Sequence, residues 1–104
     1  MELSRNRLKL RMDGHAGYAE KGRDIVCAAA SSLASTLMLA LNAQLGEKSE
    51  MYFDDPRAGP MVIDCGPGAE DMKKAELIYR TIGCGLEALA YRYPENVEFE
   101  LKDN

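Results

Sequence analysis

The chain has 104 residues, 46% of them hydrophobic and 29% charged. That bounds it to a single domain over 1–104 around one core and excludes disordered, collagen-like and low-complexity classes. Thirteen Lys and Arg against 17 Asp and Glu leave a net charge of −4, a balance that disfavours nucleic acid as a partner.

Met1-Glu2-Leu3-Ser4-Arg5 opens the chain without an apolar run, so no signal peptide is expected. Arg7-Leu8-Lys9-Leu10-Arg11-Met12 then alternates strictly. Period two over six residues predicts a half-buried strand, with Leu8, Leu10 and Met12 inward and Arg7, Lys9 and Arg11 outward. Asp13-Gly14 breaks the pattern, and three glycines make 13–23 a loop. Asp24 suits the N-cap of a helix over 25–45, and Gly46 stops it.

The 21 residues from Ile25 to Leu45 carry no charge and are long enough to cross a bilayer. Their alanines and the polar Ser31, Ser32, Ser35, Thr36, Asn42 and Gln44 make a weak membrane span. The segment therefore reads as a helix enclosed on most sides by a sheet, another helix and a second subunit, with no membrane as partner.

Glu50–Phe53 and Pro60–Cys65 read as short strands joined by a turn-rich connection. A second helix is predicted from Ala69 to Tyr91, with Leu77, Ile78, Ile82, Leu86 and Leu89 as its apolar positions. Its Gly83-Cys84-Gly85 step lowers helix propensity and suits close packing. Pro94 closes it, and Val97, Phe99 and Leu101 alternate with Glu98, Glu100 and Lys102 as a last strand. The order β-α-β-β-α-β implies an α/β protein of the α+β two-layer kind, a small sheet with two helices on one face. Were the first and last strands neighbours, the Arg7, Lys9, Arg11 row would face Glu98 and Glu100.

Three cysteines, Cys27, Cys65 and Cys84, and one histidine, His15, are too few and too widely spaced for a disulfide framework or a zinc knuckle. A reducing compartment, no metal and no cofactor are expected. Cys27 is distinctive among them. With Asp24 as N-cap it is the third helical residue, next to unpaired backbone N–H groups and the positive end of the helix dipole. Such a seat favours the thiolate, which is the nucleophile. His15 precedes it by twelve residues across the glycine-rich loop, so the pair can serve as nucleophile and base. The plainer reading makes Cys27 a small packed hydrophobe and His15 a surface residue. Asp24 is read as a cap, with orientation of His15 as its other role, and Ser31, at i+4 from Cys27, shares its helix face. Cys65 and Cys84 read as packing residues.

Gly14-His15-Ala16, Tyr18-Ala19, Gly22, Asp24-Ile25-Val26-Cys27-Ala28-Ala29 and Ser31 together resemble the signature of the ribosomal-processing cysteine proteases, the Prp family. The resemblance covers nearly the whole chain. It implies a cytoplasmic, dimeric cysteine endopeptidase with a Cys27–His15 dyad, supported by Gly22, Asp24 and Ser31. Its implied substrate is the short N-terminal extension of a large-subunit ribosomal protein. Thirteen residues precede Gly14, fewer than the family's N-terminal hairpin takes, so the first strand is expected to be shortened or absent. Two rival readings follow from the residues: a dimeric peptide- or ribosome-binding module with Cys27 merely packed, and a thiol redox sensor.

Overall fold

The computed structural model describes residues 1–5, 7–12, 24–46, 49–53, 61–66 and 70–103. Its elements are β1 (Glu2–Leu3), β2 (Leu8–Met12), α1 (Ile25–Leu45), β3 (Ser49–Phe53), β4 (Met61–Cys65), α2 (Met72–Arg92) and β5 (Lys102–Asp103). The strands form one mixed sheet in the order β3-β4-β2-β1-β5. β4 pairs antiparallel with both β2 and β3, so β2 and β3 run the same way on either side of it. α1 is therefore a crossover between two parallel strands with a third inserted, the split β-α-β arrangement. The fold is the expected α+β type.

Register explains the core. Leu3 pairs with Leu8, Leu8 with Cys65, and Leu10 with Ile63. All five are buried on one face of the sheet. Both helices close that face. α1 contributes Ala34, Leu37, Leu41 and Leu45, and α2 contributes Ala75, Tyr79, Ile82 and Leu86. The Tyr79 hydroxyl donates to the Ile63 carbonyl at 2.9 Å, which satisfies the one polar atom that α2 sends under the sheet.

The helix ends follow from their residues. α1 stops where Gly46 turns to φ 74°, a left-handed value that glycine takes without a Cβ clash, and its N–H returns to the Asn42 carbonyl. α2 begins at Met72 rather than Ala69, and its N-cap Asp71 makes no side-chain cap bond.

The first strand is shortened, as expected: β1 is two residues long, and Ser4 N–H donates to the Arg7 carbonyl at 2.9 Å across its turn. Several other expectations need correction. β1 separates β2 from β5, so the basic row does not face Glu98 and Glu100. Lys9 stands opposite Glu2 and Asp64, and Arg7 holds Asp64 by two bonds, at 2.8 and 3.0 Å. The last strand pairs only at Lys102–Asp103. On α2, Leu77 is exposed, Ile82 and Leu86 are buried as expected, and Ala75 and Tyr79 complete the buried stripe. Among the described residues α1 is covered on one side only, with Ile25 and Leu39 exposed.

The close approach foreseen at Gly83-Cys84-Gly85 occurs at Gly85. A Cβ there would lie 2.8 Å from Leu33 Cδ2 on α1. Gly85→Ala should change stability little, because about 1 kcal/mol of helix propensity offsets a small shift of a flexible Leu33 tip. Gly85→Val adds two γ-carbons to a full contact and should cost about 1–3 kcal/mol, read as a lower urea midpoint.

Candidate active site

α1 leads back from its own N-terminus to β3, whose Ser49 lies level with Cys65 and Leu8. Connectivity therefore directs the first turn of α1 toward the opposite end of the sheet, the end at which Met12 pairs with Met61. Asp24 caps it with extended backbone (φ −80°, ψ 98°), and its carbonyl accepts from Ala28 N–H at 3.0 Å. Its carboxylate Oδ1 accepts from Cys27 N–H at 2.9 Å. Cys27 is thus the third helical residue, as the spacing from Asp24 predicts, and it is half-buried rather than packed away.

This cap commits one backbone donor of the first turn. Of the N–H groups in the first turn, that of Cys27 is committed to Asp24, while Ile25 and Val26 precede the first i→i−4 bond of the helix. The signal was legible, since an N-cap carboxylate takes the amide two or three residues on. Asp24→Ala should cost about 1 kcal/mol, and Asp24→Ser should recover most of it, in thermal unfolding of the purified protein.

Ser31 is exposed one turn beyond Cys27. Cys65 is fully buried against the core, as expected of a packing residue, whereas Cys84 is exposed on α2 and corrects its reading as one. His15, Gly22 and Tyr18 lie outside the described residues, as does the rest of the loop 13–23. Among the described residues no group of three His, Cys, Asp or Glu side chains converges where a metal ion could sit.

Comparison with known proteins identifies the family. The model of the cysteine protease Prp family matches residues 2–98. A ribosomal processing cysteine protease Prp from Staphylococcus aureus is 33% identical over 91 residues, which are 88% of this chain and 83% of that relative. The crystal structure of the S. aureus protease with a covalently linked product peptide superposes with a TM-score of 0.78 at 27% identity, covering 99% of this chain and 94% of that one. The same protease in complex with a substrate peptide gives 0.75 at 26% identity, over 97% and 94% of the two chains. With a family model over residues 2–98 and a 33% identical relative matched over 88% of this chain, the protein belongs to the Prp family of cysteine proteases.

Proposed function

We propose that this chain is a processing endopeptidase that removes the short N-terminal extension of a large-subunit ribosomal protein, with Cys27 as nucleophile and His15 as its base. The observation that carries the reading is the seat of Cys27: third residue of an Asp-capped helix, half-buried, inside the segment that bears the family signature. The protein acts in the cytoplasm as a homodimer in this reading, which its three cysteines, none of them in a disulfide, and the uncharged outer side of α1 support.

The chemistry runs in two halves. The imidazole of His15 takes the Cys27 proton, and the thiolate attacks the scissile carbonyl carbon. The oxyanion is stabilised by the first-turn N–H groups of Ile25 and Val26, the two not used by the cap. Imidazolium then protonates the leaving amine as the C–N bond breaks, leaving a thioester on Cys27. Water, deprotonated by His15, attacks the thioester and frees both the acid and the thiol. The S. aureus relative that holds a covalently linked product peptide accords with a covalent route.

An extended N-terminal segment suits such a site, because its backbone can be held by main-chain hydrogen bonds while the body of its protein stays folded. Mass spectrometry of a precursor ribosomal protein after incubation tests the reading. One N-terminal fragment should be released at a single bond, and folded protein without its extension should resist excess enzyme. Many scattered cuts in unrelated unfolded proteins would contradict a processing role.

A further inference from the structure

Cys27 stands on one particular flank of α1. The helix turns Leu33 toward α2, where its Cδ2 would lie 2.8 Å from a Cβ at Gly85, and turns Leu37 and Leu41 into the core. At about 100° per residue, Leu37 and Leu41 lie about 40–80° round from Leu33. Continuing in the same sense, Cys27, Met38, Ser31 and Asn42 come next, about 120–180° from Leu33 and so on the side away from α2.

The sheet places something under that flank. α1 packs over β3 and β4, and α2 over β2. In the order β3-β4-β2, the side of α1 away from α2 is the side of the outer edge of β3. β3 pairs with β4 through all five of its residues and has no second strand beside it among the described residues. Every second residue of β3 therefore presents its main-chain N–H and C=O along that outer edge, which is a template for one more strand.

We infer that the substrate peptide is held there as an added strand, its main chain paired with the outer edge of β3, and that Met38 selects an apolar side chain about five residues from the scissile bond. This placement rests on the peptidase reading of Cys27 and adds where the peptide lies.

Direction, length and chemistry favour it. Phe53, the last residue of β3, is level with Met61, at the end of the sheet toward which the first turn of α1 is directed. A strand laid along β3 therefore runs toward the Cys27 end. From Cys27 to Asn42 the helix rises about 22 Å, and the five residues of β3 extend about 17 Å, so either wall takes five or six extended residues. Met38 follows Cys27 by eleven residues, about 16 Å along the helix, which an extended chain covers in about five residues. α1 carries no charged residue, so this wall suits a neutral stretch of peptide. Met38 itself packs against the core while staying partly open, and a flexible thioether adapts to an apolar partner.

The test uses a peptide spanning the extension junction of a precursor ribosomal protein. N-methyl groups, each deleting one N–H donor, are placed singly at residues about three to six positions from the scissile bond, clear of the chemistry. kcat/KM should fall about tenfold at every second position and by less than about twofold between them. Met38→Glu should slow cleavage of a peptide with leucine about five positions from the bond, through KM rather than kcat, and lysine in place of that leucine should restore it. In the Cys27→Ala protein the intact peptide should slow hydrogen exchange at those β3 amides that do not bond to β4. A peptide that is cut but gives a flat N-methyl scan overturns the inference and leaves the proposed function standing. So does an edge whose amides are already protected without peptide, by a second copy or by another segment of the chain. A peptide left uncut by the unaltered protein overturns the proposed function, and this placement falls with it.

Discussion

Cys27→Ala and His15→Ala should each lower peptidase turnover by roughly a thousandfold or more, and the double variant should be little worse than either single one. The argument is about coupling. In the proposed mechanism His15 acts only by taking the Cys27 proton, protonating the leaving amine and deprotonating the water that attacks the thioester, so once either partner is gone the other has no remaining task. Additive losses would mean that the two work independently. Cys84→Ala should keep full turnover, since Cys84 is exposed on the outer side of α2, away from the first turn of α1. The assignment is falsified if Cys27→Ala keeps its activity. Turnover is best measured on a peptide spanning the extension junction, with folding of each variant checked in parallel.

Tyr79→Ala should be the most destabilising single change in the core. The ring is fully buried between α2 and β4, and its hydroxyl reaches the Ile63 carbonyl. Deleting a buried aromatic costs about 3–5 kcal/mol, a large part of the roughly 5–15 kcal/mol that holds a domain folded. Tyr79→Phe keeps the ring and loses only the hydrogen bond, for about 1 kcal/mol. The phenol also sets an alkaline limit. Burial above all, together with the neighbouring Cys65 and Asp64, pushes its pKa far above the ordinary 10. Above pH 10 the unfolded chain therefore loses this proton while the folded chain keeps it, and stability falls as pH rises. Tyr79→Phe should remove that share of the fall in urea titrations between pH 9 and roughly 11. An unchanged slope would show that the phenol is not buried as described.

What could be read in the residues divides along physical lines. Local signals carried well. The alternation of Leu8, Leu10 and Met12 placed β2, the Asp24 cap and Gly46 stop bounded α1, and Asp24 to Cys27 fixed the position of the thiol on the first turn. Long-range pairing did not carry. A two-residue strand such as β1 has no periodicity to detect, yet it separates β2 from β5 and redirects Arg7 to Asp64. On α2 the buried stripe includes the expected Ile82 and Leu86 but departs from expectation at Leu77 for a related reason. Leu77 fits an apolar repeat as well as Tyr79 does, and only a carbonyl waiting on β4 makes the tyrosine the buried member. Cys84 reads as packed because thiols usually are, and the helix turns it outward. At the site itself, Cys27, Asp24 and Ser31 sit as their spacing requires, and the relation of Cys27 to His15 is a matter for the chemistry.

The most direct measurement of that chemistry is the rate of thiol alkylation against pH, resolved by peptide mapping. The protein carries its own control, since Cys84 is an exposed cysteine in mid-helix and Cys65 is buried beneath the sheet. If Cys27 is a nucleophile paired with His15, it should react well below pH 8 and faster than Cys84 there. His15→Ala should bring the two rates together, and Cys65 should stay unmodified in the folded protein. A Cys27 that reacts no faster than Cys84 at every pH, with or without His15, would contradict the dyad.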